Sequence, residues 1–167
     1  MILHLFRRQP SDAAVSLYER IVAQARSPGF YRDYGVSDTL DGRFEMIVLH
    51  LFLVLRRLES TGDNGSVLGQ QVFDLFCRDM DENLREIGVS DLKVPKEMRR
   101  IGEAYYGRAW AYDAALQDKE GLRAALARNV QGSAPGELAA YVEAVIHMLA
   151  AQQPADFQRG LVSFPQL

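Results

Sequence analysis

Cysteine is almost missing from this chain. Cys77 stands alone among 167 residues, which removes any internal disulfide and favours a reducing compartment. Histidine is scarce too: His4, His50 and His147 are never three or four residues apart, so the helical spacing of a zinc site is absent. Positive charge is not in excess. Nineteen Lys and Arg against 22 Asp and Glu leave a net charge of −3, which argues against a protein whose main work is gripping nucleic acid. No apolar run approaches the roughly 20 residues that span a bilayer. Period-two alternation of useful length is lacking, as are internal repeats, Gly-rich phosphate loops, nucleophile elbows and Ser/His/Asp sets. Met1–Phe6 is apolar, but Arg7 and Arg8 follow it. The expectation there is an ordinary or membrane-grazing terminus without a targeting signal.

What is present is a folded composition, 48% hydrophobic and 25% charged, of a length that suits one domain with a real core. The chain is organised around Phe30–Glu59. Its first half is rich in turn formers and side-chain oxygens, and Asp38 or Asp41 is suited to cap a helix. From Arg43 onward, Met46–Leu49 and Leu51–Leu55 flank His50 and leave nearly every face apolar. With charges crowding its ends, this is expected to be the central core helix, running to about Ser60.

A helix precedes it from Ser11-Asp12, carrying Val15, Leu17, Tyr18, Ile21, Val22 and Ala25 at helical spacing until Pro28-Gly29. Tyr31–Gly42 reads as turns, and Thr61–Gly65 as a loop. A third long helix is predicted from Val67 to Ile87, closed by Gly88. Pro95 opens a fourth, Lys96 to about Gln117. Helices near Lys119–Asn129 and Gly136–Ala151 follow, and after Pro154 no strong pattern remains. The fold expected is all-α: a single-domain helical bundle of about six to seven helices. It divides into an N-terminal segment (1–10), a helical core (11–151) and an extended tail (152–167).

Several groups of residues invite a chemical reading. Asp74, Asp79, Asp81 and Glu82 on one helix could hold Mg²⁺. Their spacing spreads them around the helix, however, and Arg78 and Arg85 interleave, so a solvated, ion-paired face is the simpler reading. His50 among leucines reads as a core or interface histidine, and Cys77, without a neighbouring histidine in sequence, as inert. The Asp38–Arg43 turn reads equally as a capped helix start pinned by an Arg43–Asp bridge and as a polar binding lip. Lys93, Lys96, Arg99 and Arg100 form a basic cluster, either plain surface or a contact for ribosomal RNA or anionic lipid. The fourth helix mixes Tyr105, Tyr106, Trp110 and Tyr112 with Gly102 and Gly107. Glycine costs about 1 kcal/mol in a helix interior, so the pattern predicts close approach of another backbone or a groove walled by rings.

Phe30–Val36, then Asp38-Thr39-Leu40-Asp41-Gly42-Arg43-Phe44-Glu45, then Leu49-His50 resemble the signature of the ubiquinol–cytochrome c chaperone family. So do Gln71 with Phe73-Asp74, the run Asp79-Met80-Asp81 through Leu84-Arg85-Glu86 to Gly88-Val89 and Asp91, and Gly107-Arg108 followed by Ala111-Tyr112. The resemblance covers about Ala25 to Leu116 and implies an assembly factor for the cytochrome bc1 complex rather than a catalyst. It implies binding of newly made cytochrome b, with contacts to the ribosome or a small partner protein. It implies no cofactor, no metal and no DNA. For a bacterial version of the α-proteobacterial kind, the implied place is the cytoplasm, at the inner face of the membrane.

Residues and resemblance meet in a groove that holds an apolar segment of cytochrome b. Its expected walls are Phe44, His50, Tyr105, Tyr106, Trp110 and Tyr112, with Tyr34 beside them. Asp38, Asp41, Arg43 and Arg108 form its expected polar lip. Two other classes compete. One is a small helical enzyme with a carboxylate-lined pocket acting on an isoprenoid or haem precursor. The other is a scaffold that touches only the mature complex.

Overall fold

The computed structural model describes residues 9–167; the expectation for Met1–Phe6 lies outside them. Among the described residues there are eight helical segments and no strand. Ser11 opens α1 (Asp12–Ala25) by accepting a hydrogen bond from the Ala14 N–H. Its own N–H and hydroxyl donate to Gln71 Oε1, which ties this helix end to α4 (Asp63–Glu86). Pro28 does more than stop α1. It serves as the first residue of a single-turn α2 (Pro28–Arg32), where its missing N–H costs nothing.

The central helix is α3 (Leu40–Glu59). Its cap is Thr39, whose hydroxyl accepts from the Gly42 N–H at 3.1 Å; neither Asp38 nor Asp41 takes that place. A side chain at Gly42 would meet the Ser37 carbonyl oxygen at 1.9 Å, so the turn closes only on glycine. Twelve α3 residues are buried, as its all-round hydrophobicity requires. Helices α1, α4, α5 (Val94–Ala115) and α7 (Pro135–Ala151) surround it, and α6 (Lys119–Asn129) bridges α5 to α7. The composition of Thr61–Gly65 reads as a loop, yet only Thr61 and Gly62 form the turn. Gly62, at φ 91°, reverses the chain and α4 begins at Asp63.

The tail is better ordered than its composition indicates. Pro154–Gln158 form α8, which packs on α1 and α4, and Phe157 and Val162 are buried. Two loops meet beside the start of α3: Ser37 N–H donates to the Gln131 carbonyl, and Ala134 N–H to that of Tyr34. Gly35 (φ 70°) and Gly132 (φ 78°) face each other there, and a Cβ on either would lie 2.7 Å from the other's carbonyl oxygen. Only glycine allows both the left-handed backbone and that approach.

His50 is at the centre of a buried polar chain. Its Nδ1 lies 2.7 Å from the Met46 carbonyl oxygen and its Nε2 2.8 Å from the Tyr141 hydroxyl. A carbonyl only accepts, so Nδ1 carries the hydrogen and Nε2 accepts from Tyr141. The Tyr141 oxygen accepts in turn from Gln24 Nε2 at 3.0 Å. Phe30, Tyr141 and Phe164 crowd the ring at 5.3–5.6 Å. Burial depresses the imidazole pKa to about 4, whereas an unfolded histidine titrates near 6.5. Between those pH values the unfolded chain binds a proton that the folded one refuses. Stability is therefore complete above about pH 6.5 and is lost as pH falls toward 4. Urea unfolding should show the wild type losing about 2–3 kcal/mol more than His50→Gln between pH 7 and about pH 4.5. Parallel pH profiles for the two proteins would remove this role.

Candidate functional site

Helix α5 shows why its aromatics cannot act as one group. Val94, Met98, Ile101, Tyr105, Ala109 and Tyr112 recur at three- and four-residue steps and turn toward the bundle. Tyr106 and Trp110, also one turn apart, fall on the opposite face, 63% and 77% exposed. Gly102 and Gly107 do not mark a close helix crossing either: a Cβ at either meets nothing within 4 Å. These glycines lower the walls beside the two rings and leave the outer face of α5 open.

Behind that face runs an aromatic seam. Phe44 on α3 stacks near Phe76 on α4 (6.4 Å between centroids), Phe76 near Phe73 (6.0 Å), and Phe73 near Tyr105 and Tyr106 (5.0 and 5.7 Å). The seam opens to solvent in a notch of about 320 Å³ between α3, α4 and α5. Leu55, Gly69, Phe73 and Tyr105 line it, with Glu59 and Gln70 as polar lining. Phe73 and Gly69 escaped sequence reasoning. Phe73 is one residue off the apolar stripe of α4, which is the position from which a ring reaches the edge of the buried face.

The remaining expected site residues lie elsewhere. His50 and Tyr112 are buried, and Tyr34 is half-buried against Phe30 and Tyr141; these rings belong to the core. Arg43 and Asp38 form an exposed ion pair at 2.8 Å, whose hydrogen bond lowers the Asp38 pKa. They line a separate concavity with Arg26, Tyr31 and Arg32, to which α5 contributes nothing. Asp41 is exposed in the first turn of α3, where its charge suits the helix end. Arg108 is no lip. Its Nε donates to both oxygens of the buried Glu45, at 2.9 and 2.8 Å, and fastens α5 to α3.

The acidic residues of α4 do not converge. Asp79 accepts from the Tyr18 hydroxyl at 2.6 Å and from Asn83. Asp74 accepts from Gln70, Asp81 pairs with Arg85, and Glu82 is exposed. Among the described residues no three His, Cys, Asp or Glu side chains are grouped to hold a metal. Of the expected pairings of Arg78 and Arg85 with these acids, the ion pair found is Arg85–Asp81, and Arg85 reaches Asp91 as well. The thiol of Cys77 is half-buried and burial pushes its pKa up, which suits an unreactive cysteine.

Among the described residues the Tyr112 hydroxyl is buried with no hydrogen bond of good geometry, the Asn129 side chain being close enough only to interact with it weakly. A buried polar group left unpaired costs about 1–3 kcal/mol. Tyr112→Phe should therefore hold or raise stability, by up to about 1 kcal/mol in thermal unfolding. A loss of similar size would show that the hydroxyl has a partner.

The family model described as Ubiquinol-cytochrome C chaperone matches residues 32–164. The chain belongs to this family. Curated relatives point the same way. Ubiquinol-cytochrome-c reductase complex assembly factor 1 of Xenopus laevis is 26% identical over 71% of this chain and 60% of its own length. The mouse protein of that name is 27% identical over 80% of this chain and 46% of its own. The chain thus spans about half the length of the curated relatives it matches. A solved structure, that of the Cbp3 homolog from Brucella abortus, superposes with a TM-score of 0.86. Its sequence is 38% identical, over 99% of this chain and 97% of that one.

Placed on the structure, several of the residues by which the chain resembles its family are fastenings. Glu45 and Arg108 bind α3 to α5, Asp79 holds α1 through Tyr18, and Gly35 sits in the loop clasp. The open α5 face lies beside them.

Proposed function

We propose that this chain is a non-catalytic chaperone that binds newly made cytochrome b and assists assembly of the ubiquinol–cytochrome c reductase complex. The observation that carries the reading is the exposure of Tyr106, which lines an aromatic-floored notch, and of Trp110 one turn further along α5. Two large aromatics so exposed cost solvation unless something covers them. Covering both, on the order of 250 Å², is worth about 6 kcal/mol gross. Association costs of roughly 4 kcal/mol or more are subtracted from this. The outcome is a grip firm enough to hold an apolar segment and loose enough to release it. The polar lining, Glu59 and Gln70, can meet backbone groups of such a segment and set its register.

Membership of a family whose relatives are named as assembly factors of this complex supports the same reading. The enzyme alternative needs convergent acids, and the α4 carboxylates instead pair with neighbours or face water. Among the described residues no helix is long and apolar enough to cross a membrane, which suits a protein working from the cytoplasm against the inner face of the membrane. A ribosome or a small partner protein would then deliver the client. Affinity capture after brief translation arrest tests the function: a chaperone recovers unassembled cytochrome b. Recovery of the mature complex alone would instead make the chain a scaffold.

A further inference from the structure

The connection between α4 and α5 carries a second exposed feature, independent of the α5 rings. Leu92 is 95% exposed and Ile87 67%, the former followed directly by Lys93, Lys96, Arg99 and Arg100. Between Ile87 and Arg100 the acids are engaged, Asp91 with Arg85 and Glu97 with Arg100, while Glu86 and Glu103 are exposed at its two ends. Lys93, Lys96 and Arg99 have no ion-pair partner among the described residues, in a protein whose overall charge is −3.

We propose that this tip, Ile87 and Leu92 with Lys93, Lys96 and Arg99, is a docking element for an anionic lipid bilayer surface. The charge and the apolarity point to one occupant together. A polyanion such as RNA would engage the cations and leave both aliphatic side chains in water. The bilayer interface takes both: acyl chains receive Leu92 and Ile87, and anionic headgroups receive the cations. Position adds a consequence. Lys96 and Trp110 are 14 residues apart on the outer side of one helix, about 21 Å at 1.5 Å per residue. Docking by the tip would thus hold the aromatic notch within reach of the headgroup layer, where an integral membrane subunit emerges. The inference deepens the chaperone reading by naming the surface the protein works from, but its test does not involve the client.

The test is flotation of the full chain with phosphatidylglycerol–phosphatidylcholine vesicles and with pure phosphatidylcholine vesicles, at low and high salt. Binding should require the anionic lipid and weaken with salt. Each cation neutralised to glutamine should weaken it about fivefold, so Lys93→Gln/Lys96→Gln/Arg99→Gln should lose about a hundredfold. Leu92→Glu, at a position that contributes nothing to the core, should lose tenfold or more while circular dichroism and thermal unfolding stay unchanged. A second readout is Leu92→Trp in a Trp110→Phe background, whose emission should shift to the blue on anionic vesicles alone. Failure to float with anionic vesicles at low salt overturns the proposal. So does flotation indifferent to Leu92→Glu, or tip-dependent binding of an RNA oligomer that is likewise indifferent to it.

Discussion

Replacing Arg108 with alanine is expected to lower folding stability by about 3–5 kcal/mol. Glu45 is buried on α3, and Arg108 is the cation that neutralises it. Bringing both charges out of water is costly, and their bonds, with Nε at 2.8 and 2.9 Å from the carboxylate oxygens, offset that cost only while both partners remain. Removing the arginine abandons a carboxylate whose side chain is only 8% exposed. Against a typical total of 5–15 kcal/mol, this is enough to leave much of the population unfolded at 37 °C. The double variant Glu45→Leu/Arg108→Met should recover most of the loss, because two apolar side chains need no partner. Urea unfolding of the three variants decides the matter. A loss below about 1 kcal/mol for Arg108→Ala would mean that solvent reaches Glu45 after all.

Tyr106→Ala/Trp110→Ala should behave in the opposite way, with stability within about 1 kcal/mol of wild type and the affinity for an apolar cytochrome b segment reduced at least thirtyfold. Both rings are mostly in solvent, so the folded protein loses little when they go. A bound segment loses one ring that lines the notch, Tyr106, and the exposed ring one turn beyond it, Trp110. Fluorescence anisotropy with a labelled segment reads the second effect, and thermal unfolding the first. Cys77→Ala, beyond the notch and half-buried, should leave binding unchanged. If truncating both rings left the affinity intact, the α5 face would not be the binding surface.

The two α5 rings show how the sequence could be read and where reading stopped. Helical periodicity was enough to place α3 at the centre, because a segment apolar on every side has only one stable location. It was not enough to divide Tyr105 and Tyr112 from Tyr106 and Trp110, since all four are aromatic and the surrounding small residues blur the stripe. Partners decided the rest. Nothing local in Glu45 or Arg108 announces that they meet across 63 residues, and nothing near Gly35 names Gly132. The sequence points to Asp38 or Asp41 as the helix cap, and the extended backbone at Thr39, at φ −125° and ψ 168°, gives the place to the threonine instead. The tail was illegible for a related reason: five helical residues have no period to show, and Phe157 is buried by α1 and α4 rather than by its neighbours in sequence.

The most direct measurement is site-specific photocrosslinking in living cells. A photoreactive amino acid is placed at Trp110, and as a control at the exposed His147 of α7. The products are identified during a pulse of new synthesis. Attachment of unassembled cytochrome b at position 110 and not at 147, fading as the complex matures, is the predicted result. Crosslinks to the client from 147 and none from 110, or crosslinks only to subunits of the finished complex, would contradict it.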